Sequence, residues 1–107
     1  MKVITEGHRY TMSNFENKEN GQTIQFIEKV LIENETLPND KVLTTINDGT
    51  TNEEVLEVLI DRMKYLQGKF PCRENAIIIT KLEESLMWLN KRTADRIKRN
   101  VEGKQLS

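Results

Sequence analysis

The sequence predicts an α+β fold, an N-terminal antiparallel β-meander packed with a C-terminal antiparallel helical hairpin. A change of rhythm along the chain carries that expectation. In the first part, up to residue 49, apolar residues follow the period of two that a half-buried strand imposes. From residue 51 to about residue 100 they recur at three and four, the period of an amphipathic helix. One domain is expected over 1–107, since a chain of 107 residues is served by one core, with 1–49 as its β-rich part and 51–100 as the hairpin.

Arg9-Tyr10-Thr11-Met12-Ser13-Asn14-Phe15 reads as a strand, and the polar Glu16-Asn17-Lys18-Glu19-Asn20-Gly21 as the turn after it. In the next strand Ile24, Phe26, Val30 and Ile32 alternate with Gln25, Lys29 and Glu33, while Ile27 and Leu31 fall on the opposite face. Both faces are therefore expected to be partly covered. Leu37-Pro38-Asn39-Asp40 turns the chain into a third strand, Lys41 to Ile46, which Asn47-Asp48-Gly49 closes. Three strands in a meander are the simplest arrangement.

Thr51 with Glu54 three residues on is a capping-box pattern that starts the first helix. Val55, Leu59, Met63 and Leu66 form its apolar stripe, widened by Leu56, Val58 and Ile60. Gly68 stands where a C-terminal cap is expected, and Pro71 suits the first turn of a second helix that begins near Cys72 and runs to about Asn100. The short Gly68-Lys69-Phe70 link makes the pair antiparallel. On the long helix Ile78, Leu82, Leu86 and Leu89 are expected to face the first helix. Ile77 and Trp88 project to one side of that stripe, and Ala76, Met87 and Ala94 to the other. One seam does not use that much apolar surface. Either the strand layer covers a further face or other copies of the chain do, and self-association is expected.

The charge balance restricts the function. Sixteen Lys and Arg against seventeen Asp and Glu, a formal charge of −1, argue against a general nucleic-acid or anionic-membrane binder. Yet Lys91, Arg92, Arg96, Lys98, Arg99 and Lys104 crowd the C-terminal stretch against Asp95 and Glu102. Cys72 is the only cysteine, so no intramolecular disulfide forms, as suits a reducing cytoplasm. Met1-Lys2-Val3-Ile4-Thr5-Glu6 is too polar for a signal peptide, and no apolar run reaches membrane-spanning length. A cytoplasmic location is expected.

Little in the chain suits catalysis. His8 and Cys72 are the sole imidazole and thiol, and they come from distant segments. No metal-ligand spacing, Walker-type loop or dinucleotide fingerprint occurs. Glu53, Glu54, Glu57 and Asp61 look like a solvated helix face. We expect no enzyme, catalytic residue, metal or cofactor. For binding, Arg92, Arg96 and Arg99 follow at i, i+4 and i+7, continuing the side of Ser85 and Trp88. Guanidinium groups hold phosphates bidentately and an indole offers a planar surface, so a phosphate-and-base site fits. The pattern fits equally a helix C-terminus that attracts cations, with Asp95 pairing on a solvated face. Phe70-Pro71-Cys72-Arg73-Glu74-Asn75 sets an aromatic, a cation and an amide at a helix N-terminus, where free N–H groups attract anions. Phe70 either stacks on a base or staples the helix. Asn14, Phe15 and Asn17 either reach the same pocket or build their own turn.

The run Phe70–Asn75, with Ile79-Thr80-Lys81-Leu82-Glu83-Glu84, Met87-Trp88-Leu89-Asn90, Arg92-Thr93-Ala94-Asp95-Arg96 and Val101-Glu102-Gly103, resembles the helical hairpin of phage anti-defence signal sponges. Gly7-His8-Arg9-Tyr10, Asn14-Phe15-Glu16-Asn17 and Ile24-Gln25-Phe26-Ile27-Glu28-Lys29 are similar to the strand-bearing branch that counters Thoeris immunity; a related, mainly helical branch counters cyclic-oligonucleotide immunity. The resemblance implies a protein that sequesters an immune messenger without cleaving it. For the Thoeris branch that messenger is glyco-cyclic ADP-ribose, and some members also hold cyclic di- or trinucleotides at separate sites. It further implies a homo-oligomer, dimer to hexamer, with no membrane and no specific nucleic-acid partner. Carried onto this chain, Arg92 and Arg96 hold phosphate with Arg73 as a further cation, and Phe70 stacks the base. Asn75 or Asn90 reads its edge, and Thr93, Asn14 and Phe15 complete the ligand-binding set. The rival expectation is a small phage accessory protein whose basic helix end binds nucleic acid or a host protein.

Overall fold

A computed structural model describes residues 1–33 and 41–103; the expected turn at 37–40 lies outside them. The chain is α+β, five strands followed by two helices, and divides into two compact units, Met1–Thr51 and Asn52–Ser107. In the first unit β1 (Lys2–Thr5), β2 (Arg9–Ser13) and β3 (Gly21–Gln25) form one antiparallel sheet in that order. A second sheet pairs β4 (Glu28–Glu33) with β5 (Lys41–Asn47), also antiparallel.

This corrects the three-stranded meander in two ways. The strand expected over residues 24–33 is two strands, because the chain changes partners at Phe26 and Ile27. Upstream, Tyr10 faces Ile24; downstream, Leu31 faces Leu43. Between them the Phe26 N–H donates to the His8 carbonyl at 2.7 Å and the Ile27 N–H to the Thr50 carbonyl at 2.9 Å. The Thr50 N–H in turn donates to the Gln25 carbonyl at 2.8 Å. Gly49 lets that return strand in, since a β-carbon there would collide with the Gln25 carbonyl. Tyr10 packs edge-on against Phe26, centroids 6.1 Å apart. The second correction is β1, whose four exposed residues give no apolar alternation to read. A Glu6-Gly7-His8 loop joins it to β2, with Gly7 at φ 78° and the His8 N–H donating to the Thr5 carbonyl at 3.0 Å.

The helical unit is a hairpin of α1 (Asn52–Lys69) and α2 (Arg73–Gly103). Helix α1 begins just after Thr51, as the capping pattern expects, with Glu53 and Glu54 in its first turn. It does not stop at Gly68, which stays helical without a positive φ. Pro71 ends it instead, by disfavouring helical geometry at Phe70, whose N–H still donates to the Leu66 carbonyl at 2.8 Å. Pro71 therefore lies ahead of the second helix, not in its first turn. Cys72 is the cap. Its Sγ accepts the Asn75 N–H at 3.4 Å, its carbonyl accepts the Ala76 N–H at 3.3 Å, and its own N–H donates to Gln67 Oε1 at 3.0 Å.

The seam runs along Leu56, Ile60 and Met63 of α1 and Ile79, Leu82, Leu86 and Leu89 of α2, alternating steps of three and four as in a two-helix coiled coil. Ile60, 8% exposed, is the one buried side chain among the described residues. This corrects the expected stripes at Leu59 and Ile78, which are exposed; the 3.5-residue seam selects their neighbours Ile60 and Ile79. Lys64 bridges to Glu83 at 3.2 Å across the hairpin, an exposed pair that helps set the register for at most ~1 kcal/mol.

Candidate functional site

Two clusters of expected ligand residues occupy opposite ends of the hairpin. At its tip Phe70 is 74% exposed, Arg73 opens α2, and Asn75 is half-buried on the line that leads into the seam. Beside the tip Lys69 lies over the Tyr65 ring, 5.7 Å from its centroid. Toward the other end of α2 a groove is lined by Trp88, Lys91, Arg92, Asp95, Lys98 and Arg99. At 1.5 Å per residue, Arg73 and Arg92 are separated by about 28 Å along the axis. One copy does not bring the two clusters together.

The groove follows from helical geometry, since its six residues fall on the side of α2 away from the seam at 100° per residue. Trp88, 63% exposed, sits one turn before Arg92. Lys91 is bound to Asp95 at 3.1 Å, whereas Arg92, Lys98 and Arg99 take part in no ion pair among the described residues. Arg92, Arg96 and Arg99 keep the common side expected of them, within about 60° of arc at 100° per residue, but only two of the three line the groove. Arg92 and Arg99 share the groove with Trp88, while Arg96 is half-buried and continues the line of Leu89, seven residues earlier. Thr93 is exposed, and Asn90 lines a cleft between the helices with Glu57, Asp61 and Glu83. Asn14 and Phe15 lie in the β2–β3 loop of the other unit. There Asn14 Oδ1 accepts the Gln22 amide at 3.2 Å and Phe15 is 94% exposed. Of the groove residues the expected ligand set holds only Arg92; Trp88, Lys91, Asp95, Lys98 and Arg99 are left out of it, although the helical spacing already put Trp88 and Arg99 on the side of Arg92.

Such a groove can hold an anion with guanidinium and ammonium groups and lay a planar ring on the indole. His8 Nδ1 lies 3.0 Å from the Glu6 carbonyl, and the Cys72 sulfur is engaged as a cap. Among the described residues no three His, Cys, Asp or Glu side chains are grouped to hold a metal ion, and no helix is long and apolar enough to cross a membrane.

The fold and its cationic groove define a class: a β-bearing helical-hairpin protein with an open, anion-attracting side on its long helix. Residues 29–94, from β4 to past Arg92, match the Acb2/Tad1 hairpin domain, and the chain belongs to that family. It is also 58% identical over 57 residues to "Thoeris anti-defense 1" of Bacillus phage SBSphiJ7, a match that takes in 52% of this chain and 40% of the relative.

Proposed function

We propose that this chain is a phage anti-defence protein that binds a cyclic ADP-ribose-type immune messenger, glyco-cyclic ADP-ribose, and withholds it uncleaved from the Thoeris effector. The observation that carries this reading is the 58% identity to a Thoeris anti-defence protein. The groove supports it. A cyclic ADP-ribose offers a pyrophosphate and an adenine, and Arg92 beside Trp88 supplies a cation and a planar face. In this reading Arg92 is the main phosphate ligand, with Arg96 and Thr93 on the adjoining turn. Arg73 adds charge at the tip, Phe70 stacks the base, and Asn75 or Asn90 reads its edge. Asn14 and Phe15 contribute from the β2–β3 loop.

A sponge must outcompete the effector, and nanomolar affinity corresponds to about −12 kcal/mol. Sites of that quality bury most of a ligand's surface. A groove on one side of a helix leaves the ligand half in water, and the tip residues lie at the far end of the same hairpin. A homo-oligomer, dimer to hexamer, in which one copy's tip approaches another's Arg92 meets both requirements. Cyclic di- or trinucleotides would occupy separate sites in such an assembly. The protein acts as a binder, not an enzyme, in the host cytoplasm. The test is calorimetric titration with glyco-cyclic ADP-ribose isomers, followed by heat release and mass analysis of the ligand. Tight binding with intact messenger recovered is expected. No heat with any isomer, or recovery of a hydrolysed product, overturns the reading.

A further inference from the structure

The strand-bearing unit has a small cavity of its own, about 260 Å³, lined by Lys2 of β1, Thr11 and Ser13 of β2, Lys18 and Glu19 of the β2–β3 loop, and Gly21. The sheet register builds it. Lys2 stands opposite Thr11 and Ser13 opposite Gly21, and residues opposite each other in an antiparallel pair point to the same face. A β-carbon at Gly21 would lie 3.4 Å from Thr11 Cγ2, which places the Thr11 side chain on that face as well. The same β-carbon would collide with the Met12 carbonyl, so glycine lets the loop return close against β2. The Asn14–Gln22 bond, 3.2 Å, ties the base of the loop. Lys18 and Glu19 are thereby held over a face to which no strand of the sheet contributes a carboxylate.

The polar groups of this cavity are not spent on one another. Lys2, Lys18 and Glu19 take part in no ion pair among the described residues. We propose that the cavity is a binding site for the monophosphate of a single sugar. A phosphate dianion answers both ammonium groups at once, and the hydroxyls of Thr11 and Ser13 can each donate to its oxygens. The volume lies under the roughly 300–1,000 Å³ of pockets that take drug-sized ligands, so it suits a phosphate with one sugar and is too small for a cyclic dinucleotide. Glu19 sets the rest of the preference. Its carboxylate repels a second phosphate group, whereas it can accept a hydrogen bond from a sugar hydroxyl. All of these residues belong to the first unit, and none is among those assigned to the messenger, so the two sites stand or fall separately.

Titration of the isotope-labelled full chain with ribose 5-phosphate, followed by amide NMR shifts, tests the assignment residue by residue. Saturable shifts are expected at residues 11–13 and 18–21. Lys2→Gln/Lys18→Gln should weaken binding at least about tenfold, since two charge-assisted contacts are lost. Lys2, Lys18 and Lys29 are all exposed, so the substitutions are expected to leave the remaining amide shifts in place. Lys29→Gln, on β4 outside the cavity, carries the same loss of charge type and should leave the affinity unchanged. Inorganic phosphate should bind at least about threefold more weakly than ribose 5-phosphate, and Glu19→Ala should narrow that difference. Shifts that never saturate, shifts confined to the α2 groove, or undiminished binding by the double variant overturn the proposal. So does a loss on Lys29→Gln as large as that of the double variant, which would mark general charge attraction. Inorganic phosphate binding as tightly as ribose 5-phosphate overturns the assignment to a sugar phosphate.

Discussion

Replacing Ile60 by alanine tests the hairpin seam at its centre. The substitution removes three carbons from a side chain that is 8% exposed, so nearly all of their transfer free energy is lost. At ~0.8 kcal/mol per buried carbon this is about 2.4 kcal/mol. The additional cavity term is small, because the cleft alongside Ile60 is open and its walls can close or admit water. For a chain of this size the loss corresponds to a melting temperature lower by roughly 10–20 °C. Leu59→Ala is the control. Leu59 is 42% exposed, so the same deletion should cost about half as much. The assay is thermal and urea unfolding followed by helix circular dichroism, at protein concentrations low enough to favour single copies. A Leu59→Ala penalty equal to or larger than that of Ile60→Ala would refute the seam and restore the expected stripe of Val55, Leu59, Met63 and Leu66.

Further expectations follow from single contacts. Arg92→Ala should weaken messenger binding by about 2–4 kcal/mol, thirtyfold or more in Kd by calorimetry, with unchanged thermal stability, since the side chain makes no ion pair among the described residues. Cys72→Ser should leave stability unchanged or raise it, because a hydroxyl caps the Asn75 N–H at least as well as a thiol; Cys72→Ala should cost about 0.5–1.5 kcal/mol in urea unfolding. Gly7→Ala should destabilise by roughly 1 kcal/mol in the same measurement, since φ 78° is open to glycine and costly for alanine.

The helical half was readable because its signals are local. Thr51 and Glu54 mark a start, Pro71 interrupts, and apolar residues recur at three and four, so both helices and their antiparallel course follow from the sequence. What misled was the choice among adjacent apolar residues. Ile77, Ile78 and Ile79 are chemically alike, and only the partner helix decides that Ile79 turns inward. The β half was harder. Residues 24–33 look like one strand, and the division at Phe26–Ile27 depends on Thr50, a non-local partner that no pattern announces. At the site, the spacing of Arg92, Arg96 and Arg99 suggested one row. A helix advances 40° over four residues, enough to carry Arg96 toward the seam while Arg99 returns to the groove.

The scarcity of shielded side chains has a consequence in mass action. Among the described residues Ile60 alone is buried, while Trp88, Met87, Tyr65 and Ile97 are left in water. Whatever covers those residues binds the native state and not the unfolded one, and so adds RT ln(1 + [L]/Kd) to stability. If the covering partner is the chain itself, folding acquires a concentration term. A plot of melting temperature against the logarithm of protein concentration then rises instead of staying flat, and the protein is most secure when most abundant.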